Sequence, residues 1–364
     1  MQQEQTSTIS GDELLARLED SSLYLVDVRD PDEFAEWQIP GAHNFPLTTL
    51  SAHLDEVPRD KDLVMICAKG PRALRGAEIL AEHGIPSRIL DGGMATWAST
   101  YDEVSAEFDD ANVVQLRRRG KGCLSYVVGA GSRAVVIDPS RDVARYLNVA
   151  QDHGWTITHV LDTHLHADHL SGARELAAQS GAALWLNPAD PFRFDFEPLS
   201  DAMAIELSPG IHLHVSSVSV PGHTEGSTMY QLGNHAIFTG DTLFLESVGR
   251  PDLADQAEAF AHHLFRSLHE RVLPLDDDIM VFPAHFGAGV EIHIGEFVAR
   301  RLGSLRNSLP ALALDEADFV DWAVESVKDR PGNYQKIVRI NAGQEVLSND
   351  AADLELGPNR CAVA

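Results

Sequence analysis

Residues 163–169, THLHADH, place three histidines and an aspartate directly behind the apolar run THVL. The stretch reads as a strand that ends in the motif. Alternate residues of an extended segment face the same way, so His164 and His166 reach towards one point. Asp168 and His169 open a helix expected over Asp168–Gln179, ended by Gly181, and point back to the same cleft. Three more candidates follow apolar runs: His223 in PGHTEGS, Asp241 in FTGDT and His285 in PAH. In α/β folds, sites gather at the carboxyl ends of strands. The pattern therefore demands a fold that brings several strand ends together around a metal, since imidazole and carboxylate are the donors such ions take. Seventeen histidines occur in all, so some lie outside the site. His212 and His214 belong to an alternating strand with Leu213 facing the other way, and His262-His263 lies on an amphipathic helix. Both pairs read as structural.

A chain of 364 residues is long for one core, and two domains are expected. Residues 8–104 form the first α/β segment. It contains a Ser10/Glu13 capping box for a helix through Leu18, strands at LYLVDV (23–28), DLVMIC (62–67) and SRIL (87–90), and a helix from Arg72 to His83. The acidic stretch 105–111 reads as a linker. Residues 112–350 form the second segment, in which strands at ALWLN, HLHVSSVSV, HAIFTG and IMVFPAH alternate with helices. Residues 351–364 read as a loose polar tail.

THLHADH, PGHTEGS, FTGDT and FPAH together resemble the metallo-β-lactamase fold, an αββα sandwich, over residues 110–345. Within that superfamily the chain resembles two groups, the glyoxalase II thioester hydrolases and the persulfide dioxygenases. The hydrolase resemblance implies two zinc ions, one on His164, His166 and His223, the other on Asp168, His169 and His285, with Asp241 bridging; the metals polarise a carbonyl and supply hydroxide. The dioxygenase resemblance implies one Fe(II) per chain on His164, His223 and Asp241, a facial triad that leaves positions open for substrate and O₂. His166, Asp168, His169 and His285 then surround the site. Gly249-Arg250-Pro251-Asp252 resembles the GRxD segment of the dioxygenases, which implies that Arg250 grips a carboxylate of the thiol substrate. Val248 stands where those enzymes have cysteine. Resemblance to the tails of these enzymes implies that RPGNYQKIVRIN (330–341) packs near the substrate cleft.

Three cysteines occur: Cys67, Cys123 and Cys361. Such a sparse, odd set argues against a disulfide framework and for a reducing compartment. Cys123 reads as a small buried hydrophobe, and Cys361 has no assigned role. Cys67 differs. It opens CAKGPR (67–72), between a strand and a helix, where backbone N–H groups and the helix N-terminus stabilise an anionic sulfur. Gly70 permits the tight loop, and Lys69 and Arg72 add positive charge. CAKGPR, with DVRDPDEFAEWQIPGAHNFP upstream and LDGGMATW downstream, resembles a rhodanese domain over residues 8–104. That resemblance implies sulfane sulfur transfer through a Cys67 persulfide, with Asp27, Arg29 and Trp97 structural.

Together the two resemblances imply a bifunctional sulfur enzyme. It would oxidise a low-molecular-weight thiol persulfide such as glutathione persulfide with O₂ and water to thiol and sulfite. The rhodanese would load persulfide from thiosulfate or consume the sulfite. Linkage raises the effective concentration of a shared intermediate, on the order of mM for favourable geometry. In related fusions the rhodanese often follows the dioxygenase; here it precedes it. The alternatives are the dinuclear hydrolase and a non-enzymatic sulfur-binding or sensing module. A net charge of −27 argues against nucleic-acid and anionic-membrane partners. The polar N-terminus and the lack of a long apolar run predict a cytoplasmic protein without a membrane span. A homo-oligomer is left open.

Overall fold

The computed structural model describes residues 7–200, 203–215, 219–252, 256–287, 289–327, 332–347 and 351–363. The chain divides into two compact units, the first made chiefly of residues up to Asp102 and the second of most of the remainder.

The first unit is built on a five-stranded parallel sheet in the order Thr8–Ile9, Arg88–Leu90, Asp62–Ile66, Leu23–Asp27, Ala42–Asn44. Both faces are buried, as a parallel sheet requires. The central strand shows how. Leu63 and Met65 join one hydrophobic cluster, whereas Val64 and Ile66 join a second on the other face. The first helix, Gly11–Leu15, starts at the expected capping box, with Glu13 N–H donating to Ser10 Oγ and Ser10 N–H to the Glu13 carboxylate. Helix Pro71–Glu82 follows the central strand and ends at Gly84, whose φ of 73° needs no Cβ.

Two sheets form the second unit. One has seven strands in the order Glu197–Pro198, Ala183–Leu186, Thr156–Leu161, Arg133–Ile137, Cys123–Ala130, Ala111–Arg118, Tyr101–Phe108. The other has six: Ala204–Ser208, Ile211–Val215, Tyr230–Leu232, Ala236–Gly240, Met280–Pro283, Arg300–Arg301. Their facing sides share one apolar core. The rings of Tyr126, Phe238 and Phe282 meet there at centroid separations of 4.9–5.6 Å. Helices Val143–Asp152 and Ala173–Ser180 cover the seven-stranded sheet through a separate cluster. Helices Ala257–Ser267 and Glu316–Glu325 pack together and bury Leu264 and Phe319. The arrangement is the expected αββα sandwich behind an α/β domain.

The structure corrects three local expectations. Residues 105–111 are not a linker, because Tyr101–Phe108 is a strand and Ala111 begins the next. The acidic residues occupy its solvent side, while Val104 is buried and Phe108 packs on the rings of Phe282 and Phe297. Nor is the tail loose. Ala351–Leu354 is helical, and residues 361–363 are held by Arg250 N–H on the Cys361 carbonyl and Val363 N–H on the Val248 carbonyl, each 2.9 Å. The helix after THLHADH begins only at Ala173, because residues 168–172 form a loop that turns their side chains inward. The strand Ile211–Val215 keeps Leu213 buried and His214 exposed, and the residues expected to extend it, 216–218, lie outside the described residues. No helix among the described residues is long and apolar enough to cross a membrane.

Candidate metal centre

His164, His223 and Asp241 present one ligand atom each within 4.8 Å of one another, all buried. Each is aimed by a defined partner. Thr163 Oγ1 donates its proton to Asp138 Oδ2, 2.9 Å away, and therefore accepts from His164 Nδ1–H at 2.9 Å. That fixes the tautomer and leaves the Nε2 lone pair facing the centre. His223 Nδ1–H donates to the Arg250 carbonyl at 3.0 Å, with the same consequence for its Nε2. Asp241 follows strand Ala236–Gly240. Its Oδ1 accepts from His285 Nδ1 at 2.6 Å, which turns Oδ2 towards the two Nε2 atoms at 3.3 and 3.4 Å. His164 Nε2, His223 Nε2 and Asp241 Oδ2 are buried without a hydrogen-bond partner. Three unpartnered buried donors converging on one point are what a cation site requires. The residues fit a metal, as the fold implies.

The two imidazoles differ electrostatically: burial opposes charge on His164, but Asp241 beside it raises its value, so a metal bound there displaces a proton. Burial pushes His223 down to about 4, which leaves it neutral and able to ligate near pH 7. Burial opposes charge on Asp241, but His285 and His164 beside it hold the carboxyl well below its usual range.

The remaining predicted residues stand close by but in other groupings. His166 Nε2 donates to Asp138 Oδ1 at 3.2 Å and groups with Asp138 and Asp162. Its Nδ1 is buried and unpartnered. Asp168, His169 and His285 form a second cluster that also contains Cys123. Cys361 groups with Asp241 and His285. Cys123 is buried as expected but stands beside this cluster, and Cys361 gains a place. Asp138 and Asn341 were not anticipated. Asn341 Nδ2 donates to the carbonyls of His166 and His169, and its Oδ1 accepts from Ser171 N–H. Asp138 ends the apolar run AVVID, a signal that sequence reasoning could have used. A cavity of about 560 Å³ opens beside His223, lined by Leu165, Phe260, Tyr334, Val338 and Arg339 among others. Tyr334, Gln335, Val338 and Arg339 of the 330–341 segment line this cavity, and 330–331 lie outside the described residues.

Arg250 does not match its expected role. It is 2% exposed, its Nε and Nη2 grip the Asp252 carboxylate at 2.7 and 3.0 Å, and Nη1 donates to the Arg360 carbonyl. The carboxylate it holds is the chain's own. The bidentate pair fixes the Arg250 backbone, whose carbonyl in turn orients His223. Gly249 completes the corner, since a Cβ there would fall 1.9 Å from the Asp241 carbonyl oxygen and 3.1 Å from His223 Cβ.

In the first unit, buried Cys67 ends the central strand, and Gly70 N–H donates to its sulfur at 3.1 Å. Gly70 has φ 111° and leads into helix Pro71–Glu82. Met94 N–H caps the Cys67 carbonyl at 2.9 Å. Lys69 is exposed. Arg72 is held by Glu33 through two hydrogen bonds of 2.6 and 2.8 Å. Arg29 is committed to Asp27, and Trp97 is buried, as structural residues. The loop can hold an anionic sulfur beneath backbone donors.

Two outcomes follow. Gly249→Ala must displace Asp241 or His223, so metal affinity should fall about 10- to 100-fold in a chelator-competition titration; unchanged affinity would refute the corner's role. Glu33 is held down to about 2, chiefly by its hydrogen bonds to Arg72. A lowered carboxyl stabilises the fold above its ordinary value of 4.5 and loses that contribution as pH falls from there through about 2. The urea midpoint of the wild type should therefore drop more steeply than that of Glu33→Gln over this window. Parallel curves would show that the pair contributes nothing.

Comparison with known proteins places both units. Residues 10–100 match the rhodanese-like domain, and residues 118–285 match the metallo-beta-lactamase superfamily. An uncharacterized protein of Mycobacterium leprae is 32% identical over 190 residues, 45% of this chain and 86% of its own length. Human mitochondrial persulfide dioxygenase ETHE1 is 27% identical over 54% of this chain and 74% of its own. A hydroxyacylglutathione hydrolase of Methylobacillus flagellatus is 35% identical over 32% of this chain and 46% of its own. The crystal structure of a Staphylococcus aureus metallo-beta-lactamase aligns with a TM-score of 0.59 at 28% identity, over 66% of this chain and 75% of its own. With its strand-end histidines and aspartates gathered in an αββα sandwich behind a cysteine-loop domain, the chain belongs to the metallo-beta-lactamase superfamily and carries an N-terminal rhodanese-like domain.

Proposed function

We propose that the protein is a persulfide dioxygenase with sulfurtransferase activity. The reading rests on one observation above others: two imidazoles and one carboxylate, each with a buried unpartnered ligand atom, form a three-donor set. Such a set suits non-haem Fe(II), one per chain. His164, His223 and Asp241 would hold the Fe(II), which would supply the redox chemistry for oxidation of the persulfide by O₂. The overall reaction is RSSH + O₂ + H₂O → RSH + SO₃²⁻ + 2H⁺. The sulfane sulfur loses four electrons, O₂ gains them, and the S–S bond breaks. The similarity to the human persulfide dioxygenase supports this assignment.

The chain's own groups set the conditions. The Thr163–His164 and Arg250–His223 hydrogen bonds fix both rings in direction, with Nε2 of each turned to the centre. The cavity lined by Leu165, Phe260, Tyr334, Val338 and Arg339 receives the thiol carrier, for instance glutathione. In the rhodanese-like domain the Cys67 thiolate attacks the outer sulfur of thiosulfate. A new S–S bond forms, the old one breaks, and sulfite leaves. Run in reverse, a Cys67 persulfide hands sulfur to sulfite. Gly70 supplies the backbone geometry and Lys69 the charge for these anions, while Arg72, paired with Glu33, borders the loop.

A second reading, a dinuclear zinc thioester hydrolase, is favoured by the unpartnered His166 Nδ1 and by the hydroxyacylglutathione hydrolase similarity. A rhodanese-like domain beside a thioester hydrolase has no shared intermediate, which weighs against it. Oxygen consumption separates the two. Iron-loaded protein should take up O₂ on addition of glutathione persulfide and release sulfite. His223→Ala should lose about 100-fold or more of that rate, as loss of a ligand exceeds the usual outer-shell cost. Cys67→Ser should keep the uptake and lose sulfur transfer from thiosulfate. Two zinc ions per chain, no uptake and turnover of a glutathione thioester would establish the hydrolase instead.

A further inference from the structure

Cys123 plays no part in the proposed reaction, yet it stands among the residues a second metal would need. Its Sγ lies within 4.8 Å of ligand atoms of Asp168, His169 and His285. Its place is fixed by backbone pairing. Cys123 bridges His285, with Leu124 N–H on the Ala284 carbonyl at 2.7 Å and Phe286 N–H on the Gly122 carbonyl at 3.0 Å. The pairing fixes the Cys123 backbone beside His285.

This cluster differs from the triad in how its donors are used. In the triad, Nε2 and Oδ2 atoms stand 3.3–3.4 Å apart with no hydrogen bond between them. In the second cluster the donors turn on one another. Asp168 Oδ1 accepts from His169 Nδ1 at 3.0 Å, and Asp168 Oδ2 lies 2.9 Å from His285 Nε2 and 3.6 Å from Cys123 Sγ. His285 Nδ1 is already committed to Asp241 Oδ1. His285 Nε2 and His169 Nε2 are both buried without a hydrogen-bond partner, whereas both Asp168 oxygens, unlike Asp241 Oδ2, are engaged. The soft, adaptable sulfur is the group left to face both.

We infer that Cys123 stands in for the second metal ion and keeps this centre mononuclear. Its thiol fills the pocket between Asp168, His169 and His285 and engages donors that would otherwise close on a cation. The inference deepens the dioxygenase reading and rests on it for the identity of the first site. It makes Cys123 the residue that sets metal number, a positioning role rather than a catalytic one.

Cobalt(II) titration of the full-length apo-protein tests this. Wild type should bind one equivalent, without a near-ultraviolet thiolate-to-cobalt charge-transfer band. Cys123→Ala should bind two, because the pocket opens and His169 and His285 lose their sulfur partner. Cys123→Ser, nearly isosteric and safe for folding, should also admit a second equivalent, more weakly. Two outcomes overturn the inference. In one, wild type binds two equivalents with a charge-transfer band that Cys123→Ala loses, so the sulfur is a ligand. In the other, both variants stop at one equivalent. Oxygen uptake on the same iron-loaded samples keeps the claims apart. Uptake by a wild type holding two metals would sink this inference alone, whereas one metal without uptake would sink the dioxygenase reading alone.

Discussion

The Asp241 carboxylate is the constraint on which the rest of the centre depends. A buried carboxylate is costly unless paired, and this one is divided between two tasks. Oδ1 takes the His285 Nδ1 proton, which sets the direction of the whole side chain. Oδ2 is thereby given to His164 and His223. The surrounding fold serves that division. Strand Ala236–Gly240 delivers the aspartate. Gly240, with φ 54°, lets the chain pass within 2.5 Å of Thr163 Oγ1 where a Cβ would stand. Gly249 and the Arg250–Asp252 pair bring the opposite wall into contact.

Much of this was legible in the residues, for a physical reason. Metal ligands at strand ends leave a local record, an apolar run followed at once by His or Asp, and the record survives without a structure. The same holds for CAKGPR, where strand, glycine turn and helix start lie within a few residues. What was not legible depended on distance in the chain. Nothing near Cys361 marks it as a neighbour of Asp241, because the tail reaches the centre through pairing with residues distant in the chain, among them 248–250. Cys123 looks like any small core residue until its bridge to His285 is formed. Residues 101–108 were misread because acidic side chains at solvent-facing positions of a strand resemble a linker when the alternation of Val104 and Phe108 is ignored.

Arg250, expected to hold a carboxylate of the substrate, is paired here with a carboxylate of its own chain. The GRxD spacing does mark a carboxylate-gripping arginine, but Asp252 two residues on supplies the carboxylate. The effect on chemistry is indirect. The guanidinium holds its own backbone, and that backbone orients His223. The cavity beside His223 is a separate feature, with apolar walls and Arg339 in its lining. Arg339 is itself bonded to Glu345 at 2.9 Å.

The central claim is that a single metal is held by two imidazoles and one carboxylate. X-ray absorption at the iron edge of the loaded protein tests it most directly. The account predicts scattering from two histidine rings, with the remaining nearest neighbours light oxygen or nitrogen atoms and no metal neighbour. A metal–metal distance of about 3.5–4 Å, as in two-metal hydrolytic sites, would contradict it.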